Sequence, residues 1–451
     1  MKKFSLFFLI CAIPLLFPGC IGNQDEEELN IELNISGGEE LKELENLQKL
    51  VKEQKDQLSD LEQQLKQKSS SASSSEIKKL KKKIAKQKSA VVKASKKVTT
   101  AKTAKGKYVW SMFRSVASHD FYNGYNILPP LDFKWKFRAG SGFDASPVMG
   151  KENIYIGCLD NNFYAINKKT GVAAWKTPVQ GAVSSSAAFY GGILYFGTET
   201  GMVFALSAKS GKVVWKKRLG GQIKLSSPAV FGTKLYIGCM DNHVYALNRT
   251  SGAVVWKHAT YMPVASSPVV ANGMVYIGSL DQKLYALDVD TGQIQWQYQA
   301  VKSIASSPAE YNGVIYFGSD DKKVYALDSI NGQVKWTFQA GGWMASSPVV
   351  KDNVLYIGCN DKHVYAIHAE TGKLLWKTET SGKVLAVPFI VNSIMYVAGG
   401  KELYAIDMKS GEKKWSEKYD YKIKTSCIGE DGVIFFADAD TSVYALESVA
   451  K

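Results

Sequence analysis

From about residue 140 onward the chain alternates short apolar runs with turn residues, four runs to every stretch of about 40 residues. One stretch shows the pattern. A Ser-Ser-Pro-apolar run spans Ser266–Val270, a second run ends Tyr276–Gly278, a third is Leu284–Leu287, and a fourth, Gln293–Gln299, carries Trp296. The runs are β-branched, aromatic or alternating, and Asn272-Gly273, Asp281-Gln282 and Thr291-Gly292 separate them, as hairpin strands require. No run is long enough for a helix. Four strands per unit predict one propeller blade.

The blades can be counted from tryptophan. Trp135, Trp175, Trp215, Trp256, Trp296, Trp336, Trp376 and Trp415 follow one another at spacings of 39 to 41 residues. Units of the first three strands begin near Ser146, Ser185, Ser226, Ser266, Ser306, Ser346, Ala386 and Thr425, which makes eight. The last unit ends at Leu446 without a tryptophan strand, and the Phe133–Phe137 strand precedes the first unit without a blade of its own. Pairing the two closes the ring and removes two exposed strand edges. The fold class expected is all-β, an eight-bladed propeller over residues 128–449 closed by an N-terminal strand.

The preceding residues follow other patterns. Lys2 and Lys3, the apolar Phe4–Phe17 run and Gly19-Cys20 read as a signal peptide over residues 1–19. Residues 20–38 are an acidic spacer. Across residues 39–107, Leu44, Val51, Leu58 and Leu65 recur every seven positions, interleaved with Leu47, Gln54 and Leu61. That seam predicts an α-helical coiled-coil stalk and favours a homo-oligomer, because one striped helix has nothing of its own to bury against. A serine run, Ser69–Ser75, separates it from a second stripe with Ile77, Leu80, Ile84, Val91 and Val98. Residues 108–127 form an aromatic connector.

Charge changes the picture only once it is located. The chain of 451 residues carries a formal net charge of +14. Residues 76–107 hold 13 Lys against one Glu, which accounts for 12 of those charges. The basic character belongs to the stalk, where an anionic envelope surface would neutralise it. An exported chain makes nucleic acid an improbable partner. Outside the signal run, no apolar stretch approaches a membrane span. Cys158, Cys239 and Cys359 occupy one blade position in non-adjacent blades, too far apart for a disulfide, and read as small buried residues. His243 and His363 are likewise equivalent and separate, so no metal site is expected.

The unit Y-x-G-x-x-D…Y-A-L-D-x-x-[ST]-G-x-x-x-W, as in Tyr276, Gly278, Asp281, Tyr285, Ala286, Leu287, Asp288, Thr291, Gly292 and Trp296, resembles the quinoprotein-type, pyrroloquinoline-quinone-like propeller repeat. Trp110–Arg114 is similar to the W-x-M-F-R lead-in of secreted members. The resemblance implies that the eight tryptophans dock between blades. Gly19-Cys20 looks like a bacterial lipoprotein site, with Cys20 as the lipidated residue.

Two kinds of relative follow from the resemblance. Quinone-dependent alcohol dehydrogenases hold pyrroloquinoline quinone and Ca²⁺ on the axis, and often an adjacent-cysteine disulfide. This chain has no Cys-Cys pair, no C-x-x-C-H haem motif and no long blade insertions. Lipid-anchored envelope propellers, such as the lipoprotein subunit of the outer-membrane β-barrel assembly machine, resemble it more closely. The reading is an exported, lipid-anchored bacterial envelope scaffold that binds protein partners, with no cofactor expected. The alternatives are a quinone-dependent dehydrogenase and a small-ligand sensor at the channel mouth. Residues before each first strand, namely Asp144, Lys224, Lys302, Trp343, Lys383 and Lys424, are the candidate channel rim, able to attract an anionic ligand or an acidic partner loop.

Overall fold

The computed structural model describes residues 127–449 continuously, with scattered positions between residues 53 and 87. It divides into two compact units at residue 106. Cys20, the spacer, Trp110–Arg114 and His119 lie outside the described residues, as does most of the stalk.

The second unit is a ring of four-stranded antiparallel sheets. Its described residues form 32 strands, from β1 (Leu131–Arg138) to β32 (Ser442–Ser448), in eight sheets. Blades 1 to 7 each take four consecutive strands; blade 8 is ordered β1-β32-β31-β30, where β30 is Ile428–Glu430 and β31 is Val433–Ala437. The N-terminal strand therefore supplies the outer edge of the last blade. Its register runs from Leu131 opposite Ser448 to Arg138 opposite Ser442.

Register explains the alanine of each Tyr-Ala-Leu run. In every blade the tryptophan lies directly opposite it: Trp175 faces Ala165, Trp296 faces Ala286, and Trp135 faces Ala445 across the seam. A larger side chain there would compete with the indole for the same face of the sheet. The indole then reaches the next blade. Trp296 Nε1 donates to the carbonyl of Ser329 at 3.1 Å, and its ring covers Gly332. Seven tryptophans repeat this arrangement, from Trp135 over Gly171 to Trp376 over Gly411. The glycine is required for two reasons. Its φ is about +70°, and a Cβ would sit 2.5 Å from the Trp296 ring.

Trp415 departs from the series because blade 8 has no turn between its third strand and its outer strand. Residues 127–130 stand in for that turn. Ile127 is fully buried in a cluster with Leu131, Phe389, Tyr396 and Phe436, against which Trp415 packs. Ile127 thus belongs to the packed body of the propeller.

Between the blades the core is apolar and aromatic. Phe163 stacks on Phe196 with centroids 4.2 Å apart, joining blades 1 and 2. Cys158, Cys239, Cys359 and Cys427 are buried free thiols. Burial pushes the first three, and Cys427 likewise, up to about 12.

In the first unit, Glu53, Gln57, Asp60, Leu61 and Gln64 are helical, as are Glu76, Ile77, Leu80, Lys82, Lys83, Ile84 and Gln87. Ile84 is buried, and Leu61, Ile77 and Leu80 are half-buried, while most of the polar positions are exposed. Gln87 Nε2 donates to Gln57 Oε1 at 3.1 Å, so the two helical stretches touch within one chain.

Candidate functional site at one mouth of the ring

The loops that leave an outer strand and enter the next blade all open at one mouth, where the turns between second and third strands also lie. Each loop is fixed by one buried anchor: Phe143, Val183, Ile223, Val264, Ile304, Met344, Val384 or Ile423. The residue before the anchor accepts, through its carbonyl, the N–H of the blade's second turn. Pro263 takes that of Leu280, Ser303 that of Asp320, Trp343 that of Asn360 and Lys383 that of Gly400. The anchor's own N–H goes back to the previous blade, as from Ile304 to Ser279 and from Met344 to Ser319. Each loop is thereby tied to two blades, and its side chains are held where they point.

This register sorts the six candidate rim residues into three tiers. Asp144, Lys224 and Lys424 follow their anchors; Trp343 and Lys383 precede theirs by one; Lys302 precedes Ile304 by two. Sequence spacing alone ran them together because the anchors are ordinary apolar residues. Three of the four lysines also have carboxylates close by. Lys424 Nζ lies 2.8 Å from Asp144 Oδ1, joining blades 8 and 1, and Lys224 Nζ is 4.0 Å from Glu199. Lys302 lies near Asp320, whose carboxyl burial pushes above its ordinary value while Lys302 opposes the shift. The mouth is a rim that carries charges of both signs.

Beneath it runs a ring of serine hydroxyls. The N–H of Ser146 donates to Ser186 Oγ at 2.8 Å, Ser186 to Ser227, Ser227 to Ser267, Ser267 to Ser307 and Ser307 to Ser347. Val387 donates to Ser426 and Ser426 back to Ser146. Val387 itself brings no hydroxyl, and there Ser346 Oγ donates to the carbonyl of Ala386 instead. The second serine of Ser-Ser-Pro is therefore an inter-blade tie, buried and engaged, rather than a nucleophile.

The repeat aspartate is a second tie. Asp281 accepts from Tyr285 at 2.7 Å and from the N–H of Tyr261 in the incoming loop at 3.0 Å. In blades 1 and 6, burial raises Asp160 and Asp361. The hydrogen bonds from Tyr164 and Tyr365 and from the turn outweigh it and hold both carboxyls below their ordinary value. His243 and His363 each turn a ring nitrogen onto the carbonyl of the aspartate two residues back, at 2.9 and 3.0 Å. Among the described residues no group of three or more His, Cys, Asp or Glu side chains could hold a metal ion. Asp144, the acid among the six candidate rim residues, is engaged by Lys424.

What composition did not flag is an arc of exposed apolar side chains on five successive loops. Tyr261 is 78% exposed and Val301 67%, with Met262, Trp343, Leu385 and Tyr421 beside them. They break the repeat at positions where the other loops mostly hold small or polar residues, which is the signal that could have found them.

Blade count, closing strand and tryptophan docking together define an eight-bladed propeller of the pyrroloquinoline-quinone-like repeat class. A family model described as "Outer membrane protein assembly factor BamB" matches residues 132–227, 218–341 and 337–448, well over half of the chain. The chain belongs to that family. The fold is similar to that of BamB from Moraxella catarrhalis, with a TM-score of 0.62 and 18% identity, covering 70% of this chain and 99% of that one. It is similar to a europium-containing methanol dehydrogenase at a TM-score of 0.61 and 14% identity, covering 75% and 98%. Curated relatives include a quinoprotein ethanol dehydrogenase of Pseudomonas aeruginosa, 27% identical over 118 residues, which are 24% of this chain and 18% of the relative. A quinone-dependent 1-butanol dehydrogenase of Thauera butanivorans is 29% identical over 107 residues, or 22% and 17%. The chain thus spans about a fifth of the length of the curated relatives it matches.

Proposed function

We propose that this protein is an exported cell-envelope scaffold, lipid-anchored through Cys20, whose propeller binds protein partners in outer-membrane protein assembly. The observation that carries the reading is the apolar arc at Tyr261, Met262, Val301, Leu385 and Tyr421. Large apolar side chains held outward on rigid loops, with lysines between them, have the anatomy of a protein-binding patch with a mixed rim. Membership of the BamB family and the signal-like first twenty residues support the envelope setting. The stalk spaces the propeller from the membrane, and its lysine tract contacts anionic head groups or polymers.

The test is affinity capture from envelope extracts by the full chain and by a Tyr261→Ala/Tyr421→Ala variant. The reading predicts discrete envelope proteins retained by the first and lost by the second. Equal capture by both would contradict it. A second reading, a quinone-dependent dehydrogenase, is favoured by the local likeness to the alcohol dehydrogenases. Calorimetric titration of pyrroloquinoline quinone with Ca²⁺ separates the two: stoichiometric binding supports the enzyme, and none leaves the scaffold.

A further inference from the structure

Trp343 is used differently from every other tryptophan among the described residues. Eight serve the blades, and seven of those donate their indole N–H to a neighbouring blade. Trp343 is 53% exposed, and no ring among the described residues packs on it. Its place in the loop does not call for it. The backbone bond made there, from Asn360 N–H to the Trp343 carbonyl, is made equally by Gly142, Ala182, Gln222, Pro263, Ser303, Lys383 and Lys422 in their own loops. An exposed indole adds nothing to folding at that position, and it costs solubility.

Trp343 lines a cleft of about 200 Å³ together with Gln282, Lys302, Ser303 and Asp320. Three of them are tied from behind. Gln282 Oε1 accepts from Gln299, and the backbone N–H of Ala300 binds the Gln282 carbonyl at 2.8 Å. Ser303 Oγ donates to the carbonyl of Leu280, and Asp320 is held through its N–H to Ser303. These bonds leave the Gln282 amide hydrogens and the Ser303 lone pairs available, and the Lys302 ammonium and Asp320 carboxylate lie near each other beside them. The cleft thus combines donors and acceptors with one aromatic side chain.

The chemistry selects among ligand classes. One ammonium and one carboxylate leave the cleft without net charge, so it does not favour a polyanion. Pyrroloquinoline quinone, with its several carboxylates, would meet Asp320 as a like charge. The volume lies below the roughly 300–1,000 Å³ of sites for drug-sized ligands, so it suits a single ring. A pyranose offers what the walls complement: C–H groups on one face for the indole, and hydroxyls around the rim that both donate and accept. We infer that the cleft between the loops entering blades 5 and 6 is a saccharide-binding subsite. Trp343 is its stacking platform, and Gln282 and Asp320 are the residues that hold the hydroxyls. It shares Trp343 with the apolar arc but does not use Tyr261 or Tyr421, so the capture experiment with the Tyr261/Tyr421 variant and the sugar titrations can fail independently.

The probes are maltotriose and tri-N-acetylchitotriose, each titrated by calorimetry into the full chain. They separate a glucan from an N-acetylated wall-type glycan as the source of the ring. At least one should bind saturably with a Kd of about 1 mM or tighter, and Trp343→Ala should weaken it by about tenfold or more. Asp320→Asn combined with Gln282→Ala should weaken it comparably, while Trp343→Tyr keeps the platform and restores binding. Because Trp343 is exposed, the unfolding midpoint should not move in the Trp343 variants. Failure of both sugars to saturate with the unmodified chain overturns the inference. So does unchanged binding by Trp343→Ala, which would place the sugar elsewhere.

Discussion

Tyr396 donates its phenol hydrogen to the carbonyl of Ile127 at 3.2 Å, across 269 residues of sequence. Elsewhere that bond goes to the next blade's turn: Tyr276 binds the Ser329 carbonyl and Tyr316 that of Ala369. The same carbonyls receive the indole N–H of Trp296 and Trp336. Ile127 therefore does in blade 8 what a turn residue does in the others, and ring closure depends on residues that precede the first blade. Val449 N–H to Pro130 and Leu128 N–H to Ser448 complete the clasp.

Cutting the clasp should open the ring. A chain beginning at residue 139 loses β1 and leaves the β32 edge without its partner strand. We expect it to aggregate or unfold at markedly lower temperature than a chain beginning at residue 108. Size-exclusion chromatography with thermal unfolding reads this, and equal behaviour of the two would contradict the clasp.

The tryptophan dock should be costly to disturb from either side. Trp296→Ala empties a buried inter-blade site and should lower stability by about 3–5 kcal/mol. Gly332→Ala forces a left-handed φ on alanine and drives a methyl into the indole, with an expected cost of at least about 1–3 kcal/mol. Denaturant unfolding of both variants measures these losses, and the two should not add, because they damage one contact.

Acid should weaken the inter-blade ties. Asp160 and Asp361 have depressed carboxyls in the fold, so the stability they contribute is fully present above the unfolded value near 3.8. It is lost as pH falls through the folded value. Unfolding free energy should therefore drop as pH is taken below about 4. Asp361→Asn should flatten that dependence, which urea titrations between neutral and acid pH would show.

The four propeller cysteines should resist thiol reagents in the native state. All are buried, with thiols pushed up to about 12, so the reactive thiolate is scarce at pH 8. We expect labelling of Cys158, Cys239, Cys359 and Cys427 only after denaturant is added, counted by mass spectrometry.

The fold was legible because its signal is local and repeated: Trp, Gly and Asp recur at fixed offsets, and the missing outer strand could be matched to the strand at the start. The ties were less legible. Ser186 and Ser227 read as backbone-driven repeats, and only the ring shows each serving its neighbour. The Lys424–Asp144 pair joins residues 280 apart, a contact that no local pattern encodes. The rim was half visible. Trp343 and the lysines stood out by type, whereas Tyr261, Met262 and Val301 become a surface only once five loops are seen to open at one mouth.

The most direct measurement is site-specific photocrosslinking in cells, with the reactive residue placed at Tyr261 and, for comparison, at Val172. Val172 is 64% exposed in the turn after a blade's third strand, at the opposite face of the ring. The account predicts a discrete protein adduct from position 261 and none from position 172. No adduct at 261, or the same adducts from both positions, would contradict a partner-binding mouth.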